Sequence, residues 1–239
     1  MRPILLPRPA GRDEDAQRLS ALGFEVVADP YIEVHYLDSA DALGSLKSAL
    51  EAGAALVLTS SRGLTSIQSV LDCTDPSDLT AFAVGPTTAA ACIEAGFGSV
   101  FSPLTQFDVD GLVELMSLHR PAAVALPRSG AATSELVARL SALGIGVTAA
   151  VTYDTRAVSV SPESLPRLRA GEFAAVVVRS GSAARALAQF VPVWPTDTRI
   201  VASGPATARV IEECGMPVAI TSQDSTSERV VAAVAAILG

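Results

Sequence analysis

The sequence has few of the side chains on which metal sites, disulfide frameworks and hydrolase triads depend. Its 239 residues include three cysteines and two histidines. Cys73, Cys92 and Cys214 are widely spaced and form no C-x-x-C pair, which argues against a disulfide framework or a zinc site. Neither His35 nor His119 lies in a motif typical of a Ser-His-Asp hydrolase or a metal centre, so we expect both to be ordinary surface or edge residues. We expect no metal and no cofactor.

Lysine is nearly absent, and basic clusters are missing. Lys47 is the single lysine among 17 basic residues, and the formal net charge is −8. Schiff-base or pyridoxal phosphate chemistry would have to rest on this one side chain. Without a cluster of basic residues, a nucleic acid is not an expected partner. The motifs G-x-G-x-x-G and G-x-x-x-x-G-K-[ST] are also missing, which argues against dinucleotide binding and P-loop phosphoryl transfer.

Long apolar runs are absent as well. No window approaches the roughly 18 unbroken apolar residues of a membrane span. The N-terminal stretch MRPILLPRPAGRDED is interrupted by prolines and followed by charge, so it lacks the apolar core of a signal peptide. Since 49% of the residues are hydrophobic, the chain has ample material for folded cores. We expect a cytoplasmic protein with no membrane contact, built from two domains of about 120 residues each.

What the sequence does contain is an internal duplication. The first matched pair shares LPR and the identical hexapeptide RLSALG, and the other two pairs share short apolar and glycine-containing motifs. The matched pairs are 6–26 with 126–147, 55–64 with 175–184, and 83–96 with 202–215. Three matches in the same order, about 120 residues apart, indicate a duplication rather than chance.

Alternating strands and helices are predicted in both copies. Apolar runs of strand length are Ile4–Leu6, Leu56–Leu58, Phe82–Val84, Ala123–Leu126, Val176–Val178 and Ile200–Ala202. Helical patterns follow them, and four of these end at a glycine expected just beyond the helix: Gly23, Gly96, Gly144 and Gly215. Strands that are apolar on both faces, with helices between them, indicate parallel sheets covered on two sides. We predict a doubly wound α/β fold in two related halves.

Two extended stretches are candidates for crossings between domains. Tyr31–Leu37 and Val151–Val158 alternate in polarity and are rich in β-forming residues. Either each repeat forms its own domain, or the chain leaves the first domain early and returns to it late. The periodicity is compatible with both arrangements.

The motif G-P-x-T-A, present once in each half, predicts an anion site. In parallel α/β sheets, ligands bind beyond the carboxyl ends of the strands. Proline is favoured at the first helical position, so Pro86 and Pro205 are expected to begin helices after Gly85 and Gly204. The backbone N–H groups that such helix starts leave free attract carboxylates or phosphates. These groups belong to Thr87, Thr88, Ala206 and Thr207.

Other strand ends carry hydroxyl and guanidinium groups. The turns after the second strand of each half contain Thr59, Ser60 and Ser61 in one copy and Arg179, Ser180, Gly181 and Ser182 in the other. Arg8 and Arg128 end the two paired LPR strands. The serines are candidates for anion binding or for plain N-capping. The arginines are candidates for binding a carboxylate or for a salt bridge.

Several motifs in order resemble the uroporphyrinogen-III synthase family over essentially the whole chain. They are the initial LPR, L-T-S at a strand end, G-P-x-T-A followed by E-A-G, Y-x-T after the second RLSALG helix, and a final S-G-P-A-T-A. The resemblance implies two flavodoxin-like domains joined by a two-stranded linker. It assigns 1–34 and 158–239 to one domain, 38–151 to the other, and 35–37 and 152–157 to the linker.

The resemblance implies a cofactor-free lyase of haem biosynthesis, and we expect the protein to be a monomer. Its substrate is hydroxymethylbilane, a linear tetrapyrrole with eight carboxylates, which is cyclised with loss of water and inversion of the last pyrrole ring. Tyr153 matches the tyrosine of Y-x-T, which would assist departure of the hydroxyl; the alternative is a tyrosine that only packs at a linker edge. Arg179 departs from the usual threonine of the second strand end.

A function of another class stays open at this point. A two-domain protein that closes on a small anionic ligand without chemistry would carry the same helix starts and the same arginines. Formation of the III isomer of uroporphyrinogen discriminates between the two functions, because spontaneous ring closure gives the I isomer.

Overall fold

The computed structural model describes residues 2–8 and 13–239. The strands are β1 (Ile4–Leu6), β2 (Val26–Ala28), β3 (Ile32–Tyr36), β4 (Ala55–Leu58), β5 (Thr80–Ala83), β6 (Ser99–Phe101), β7 (Ala123–Ser129), β8 (Gly146–Ala157), β9 (Ala175–Val178), β10 (Arg199–Ala202) and β11 (Val218–Thr221). The helices are α1 (Glu14–Ala21), α2 (Ala40–Glu51), α3 (Ser61–Thr65), α4 (Gln68–Leu71), α5 (Pro86–Glu94), α6 (Val109–His119), α7 (Glu135–Ala142), α8 (Leu165–Arg169), α9 (Gly181–Phe190), α10 (Pro205–Glu213) and α11 (Ser227–Leu238). Among these described residues, no helix has the length and apolarity needed to cross a bilayer.

The chain divides into two compact units, each with its own sheet. Unit 1 consists of Met1–Glu33 together with Arg156–Gly239, and unit 2 is Val34–Thr155. Helices alternate with strands in both, and the pairings described within the β1–β2–β9–β10–β11 and β4–β8 sets are parallel. The predicted doubly wound α/β class is confirmed.

In unit 1 the strands lie in the order β2-β1-β9-β10-β11. This is the flavodoxin-like order, in which the second strand of the chain lies at one edge. Every residue of β1 and β9 is buried, as expected for strands that are apolar on both faces. Leu5 packs in the core on one side of the sheet with residues of α9 and α10, and Ile4 packs on the other side with residues of α1 and α11.

Unit 2 has the same strand order in a permuted form. Its sheet runs β3-β8-β7-β4-β5-β6, so that β7 takes the place that β1 has in unit 1. β7 and β1 carry the two LPR copies, β4 and β9 the second matched pair, and β5 and β10 the third. Each unit therefore combines strands from both copies of the duplicated sequence.

Helix ends follow the sequence prediction. The four glycines expected just beyond helices have positive φ, at +86° for Gly23, +87° for Gly96, +78° for Gly144 and +75° for Gly215. This left-handed conformation has little cost for glycine and allows the last turn of the helix to close.

Differences from the sequence prediction lie in the edge strands and the extended stretches. β2, β6 and β11 were not predicted, and β5 ends one residue before the expected Val84. The second extended stretch is the distal part of β8, a strand that also pairs with β7 from Gly146 to Tyr153. The first stretch contains β3, which lies next to β8.

Tyr31 provides a test of the packing in unit 1. The side chain is fully buried, and its hydroxyl lies 3.0 Å from Ser164 Oγ. Burial raises the pKa of Tyr31 to about 12, although the hydrogen bond with Ser164 opposes part of this shift. A raised pKa means that the unfolded chain releases this proton before the folded one, so the associated stability is complete below about pH 10 and is lost as the pH rises towards 12.

We expect the free energy of unfolding of the wild type to fall by about 2 kcal/mol more than that of Tyr31→Phe between about pH 9 and about pH 11.5. Urea titrations of both proteins at the two pH values measure this difference. Equal losses in the two proteins would show that Tyr31 ionises normally in the folded state.

Candidate functional site

In unit 1, three predicted site segments lie side by side at the carboxyl ends of the strands. β10, β9 and β1 are neighbours in the sheet. They are followed by Gly204, Arg179 and Arg8 respectively. The backbone N–H of Ser203 donates to the carbonyl of Val178 at 3.0 Å, which keeps the ends of β10 and β9 together. We call this the carboxyl edge of unit 1.

Unit 2 has an equivalent edge. β5, β4 and β7 are neighbours; β5 and β4 lead to Gly85 and Thr59, and Arg128 is the last residue but one of β7. The N–H of Val84 donates to the carbonyl of Leu58 at 2.9 Å, the same link that joins the two strands in unit 1. The structure thus brings the predicted residues together within each unit.

The helix starts at Pro86 and Pro205 have the predicted form. The N-cap residues Gly85 and Gly204 have no side chain that could accept a hydrogen bond from the first turn. The first backbone bonds into these caps come from Ala89, at 2.9 Å, and Ala208, at 3.0 Å. The second and third residues of each helix have backbone N–H groups for which the described part of the chain (2–8 and 13–239) provides no acceptor. Two donors are therefore available at each helix start, with the positive end of the helix dipole behind them.

The side chains at these two starts differ in exposure. Thr87 and Ala206 are exposed, whereas Thr88 and Thr207 are only 6% and 8% exposed. The hydroxyl of Thr207 lies 3.4 Å from that of Ser203. The third helical residue of each helix thus packs inward, and what it offers to a ligand is its backbone N–H.

Gly85 and Gly204 differ in the space around them. A Cβ at Gly85 would lie 3.1 Å from the Cβ of Phe107, so a larger residue would fit only if Phe107 moved by a few tenths of an ångström. At Gly204 nothing lies within 4 Å of such a Cβ, and its φ of 169° is extended backbone that any residue adopts. The start of α10 therefore opens onto free space in unit 1, which suits the approach of a ligand.

Ser60 and Ser180 cap the helices that follow β4 and β9. Their Oγ atoms accept hydrogen bonds from the backbone N–H groups of Arg62 and Ala183, each at 3.2 Å. Both serines therefore act as N-caps, one of the two roles predicted for them. A capping hydroxyl still has its own O–H, so each can also donate to an anion. Ser61 is the first residue of α3, and Ser182 the second residue of α9.

Tyr153 lies at the carboxyl edge of unit 2, where it pairs with Ser129, the last residue of β7. Its side chain is 5% exposed. Burial raises the pKa of the phenol, while the charge of Arg62 and the hydroxyl of Ser60 oppose the rise. Tyr153 is therefore a protonated donor near neutral pH. Arg62 was not among the predicted residues, although it directly follows the two serines of the strand end.

Arg8 is held by two carboxylates of unit 1. Its Nη2 donates to Asp13 Oδ1 at 2.8 Å and to Asp15 Oδ2 at 2.6 Å, and its Nε donates to Asp13 as well. Asp13 is also the N-cap of α1 and accepts from the N–H of Ala16 at 3.1 Å. Of the two roles predicted for Arg8, the salt bridge therefore accounts for Nε and Nη2 of its guanidinium. Neither aspartate was predicted from the sequence.

Three arginine nitrogens at the two edges are buried without a hydrogen-bond partner among the described residues: Arg8 Nη1, Arg179 Nη1 and Arg128 Nε. Arg179 Nη1 lies 3.6 Å from Asp15 Oδ2, beyond hydrogen-bond distance. Burial lowers the pKa of Arg179, and the negative charge of Asp15 counters this. Arg128 Nη2 donates to the carbonyl of Ala132. Each of the three guanidiniums therefore has one N–H group for which the described part of the chain provides no acceptor.

Comparisons with known proteins assign the chain to a family. The family model described as uroporphyrinogen-III synthase HemD matches residues 13–232. The solved uroporphyrinogen-III synthetase of Helicobacter pylori 26695 superimposes with a TM-score of 0.66 at 16% identity, over 99% of each chain. A mutant uroporphyrinogen III synthase from the extremely thermophilic bacterium Thermus thermophilus gives a TM-score of 0.59 at 16% identity, over 99% of this chain and 97% of that one. At 16% identity, these two structures show a shared fold. A comparison with curated proteins found no match to the sequence. Because the family model spans most of the sequence, the chain belongs to the uroporphyrinogen-III synthase family.

Proposed function

We propose that the chain is a hydro-lyase that converts hydroxymethylbilane into uroporphyrinogen III, with loss of water and inversion of the last pyrrole ring. Membership of this family supports an enzyme with a small-molecule substrate in tetrapyrrole biosynthesis. The structural observation that carries the proposal is the pair of uncapped Gly-Pro helix starts, one at each carboxyl edge. Both helix starts offer backbone N–H groups that can donate hydrogen bonds to carboxylates.

The donors fit a substrate that carries eight carboxylates. A protein of net charge −8 repels such a molecule at long range, so its binding has to depend on local groups. The starts of α5 and α10, the hydroxyls of Ser60 and Ser180, and the spare guanidinium donors supply these groups without a lysine. We assign carboxylate binding to them, together with Thr59, Ser61, Gly181 and Ser182 of the same turns.

Tyr153 is the proposed proton donor. Departure of the substrate hydroxyl leaves an azafulvene cation that the pyrrole nitrogen already stabilises, so a hydrogen bond from a weak acid is sufficient assistance. As the phenol hydrogen moves towards the leaving oxygen, negative charge builds on the Tyr153 oxygen. The positive charge of Arg62, which opposes the rise that burial causes in the pKa of this phenol, stabilises that charge. The remaining task is to hold the tetrapyrrole so that the inverted ring attacks through a spiro intermediate.

Incubation with hydroxymethylbilane made in situ tests this proposal. After oxidation, separation of the I and III isomers should show isomer III in proportion to the amount of protein added. A heat-denatured sample should give isomer I alone. If the native protein also gives only isomer I, the synthase function is wrong; binding of the product without isomer III would then favour the non-catalytic alternative.

We further propose that the domains comprise 1–34 with 158–239 and 38–151, and that segments 35–37 and 152–157 form the linker. We also propose that the protein is a cytoplasmic monomer.

A further inference from the structure

The two units differ at a matched pair of positions. In unit 2 the turn after β4 begins with Thr59, and α7 carries Leu136 on its buried face. In unit 1 the equivalent turn after β9 begins with Arg179, and α1 carries Asp15. Asp15 and Leu136 each stand three residues before the shared RLSALG hexapeptide. A neutral pair in one copy is thus an arginine and an aspartate in the other.

Asp15 is buried as deeply as a core residue. It is 1% exposed, and a carboxylate at such a position is costly unless cations or donors surround it. Its Oδ2 accepts from Arg8 Nη2 at 2.6 Å and lies 3.6 Å from Arg179 Nη1. One carboxylate oxygen therefore holds two guanidiniums beside each other. If only one of Asp15 and Arg179 were present, its buried charge would have fewer opposite charges nearby.

The cluster leaves donors unused. Arg8 Nη1 and Arg179 Nη1 are buried, and neither has a hydrogen-bond partner among the described residues. Asp13 and Asp15 balance the charges of the two arginines, so the cluster presents oriented N–H groups rather than a strong positive field. These groups lie at the ends of β1 and β9, beside β10, whose end leads into the uncapped start of α10.

A purely structural role does not explain the cluster. Unit 2 reaches the same strand order with Thr59 and Leu136, so the fold itself needs neither charge. An ion cluster that only supports folding would also satisfy its own donors. The nitrogens that lack an acceptor among residues 2–8 and 13–239 are what a bound carboxylate, with two acceptor oxygens, would complete.

We propose that Asp15 is a positioning residue, which fixes Arg179 beside Arg8 so that their free Nη1 groups bind one carboxylate of the tetrapyrrole substrate. This inference rests on the proposed function. It assigns a carboxylate subsite to unit 1 alone, because unit 2 has a threonine and a leucine at the equivalent positions.

The double variant Asp15→Leu/Arg179→Thr tests the subsite by giving unit 1 the pair that unit 2 carries. One positive and one negative charge are removed, so the net charge of the protein does not change. We expect the double variant to fold, and the KM for hydroxymethylbilane to rise about 10- to 100-fold through loss of charge-assisted hydrogen bonds. The kcat at saturation should change less than about threefold, because the subsite holds substrate and transition state alike.

A matched control removes another ion pair from unit 1. Arg167 and Glu172 are paired at 3.1 Å just before β9, at the opposite end of the strand. Arg167→Thr/Glu172→Leu deletes the same two kinds of charge and should leave KM unchanged. Should the first double variant fail to fold, Arg179→Gln keeps Asp15 paired with Arg8 and allows the same KM measurement.

The outcomes separate the two proposals. Isomer III from the wild type with an unchanged KM in the folded variant means that the cluster is only structural, and the inference is overturned while the synthase function stands. No isomer III from the wild type overturns both. A raised KM in Asp15→Leu/Arg179→Thr, with a normal KM in the control variant, supports the subsite.

Discussion

An aspartate at the start of α10 is expected to lower the rate of isomer III formation at least tenfold without lowering the melting temperature. Ala206 is the exposed second residue of this helix. At ~5 Å, with an effective dielectric of ~20, a carboxylate introduced there would repel a substrate carboxylate by about 3 kcal/mol, and salt would reduce this value. The same charge stabilises the helix dipole by about 0.3–1 kcal/mol, so folding and activity should change in opposite directions.

Thr87→Asp makes the same change at the start of α5. Ala206→Asn and Thr87→Asn are the controls, because they have the same shape without the charge. Initial rates and thermal melting of the four variants measure the effect. Full activity in both aspartate variants would show that no carboxylate binds at these helix starts. Thr88 and Thr207 are poorer positions for the test, since a charge at these buried side chains would destabilise the fold directly.

Tyr153→Phe is expected to reduce kcat about 100-fold, within the range known for loss of a general acid, with little change in KM. The variant keeps the ring and removes the hydroxyl that lies near Ser60 and Arg62. Because the pKa of this phenol is raised, the proton is present throughout the neutral range, and no loss of activity from its ionisation is expected up to about pH 9. Steady-state kinetics between about pH 6 and about pH 9 measure both expectations.

Tyr36→Phe is the matched control for this change. Tyr36 lies on β3 and is half exposed; we assign it no contact with the substrate, and after burial it is a minor contributor to the raised pKa of Tyr153. Its kcat should equal that of the wild type. If Tyr153→Phe retains the wild-type kcat as well, Tyr153 only shapes the site and another group assists departure of the hydroxyl.

The central strands could be predicted because burial on both faces leaves a continuous apolar run. β1, β4 and β9 are buried at every position, and each was found from the sequence. The edge strands β2 and β11 are partly exposed, and β11 alternates in exposure over four residues. So short an alternation is also found in loops, and only pairing with a neighbouring strand distinguishes the two.

Within the candidate site, local rules succeeded where the signal was local. Proline after glycine at the end of a strand predicted both helix starts. Asp15 could not be found in this way, because the sequence pattern does not show that it contacts Arg8 and Arg179, and a charged residue on a short helix is usually exposed. The available signal was the comparison of the two copies, in which an aspartate stands where Leu136 packs in the core.

The permuted strand order also sets the sequence in which the two sheets can be completed during synthesis. Every strand of unit 2 has been synthesised once β8 is complete, whereas β1 stays without β9, its neighbour on one side, until residue 178 is added. Domains generally fold as units in the order of synthesis. Once unit 2 is folded, its ends are brought together because β3 lies next to β8. The long chain segment that separates the two parts of unit 1 then acts as a short connection. The conformational entropy lost on closing this loop has already been lost when unit 2 folded.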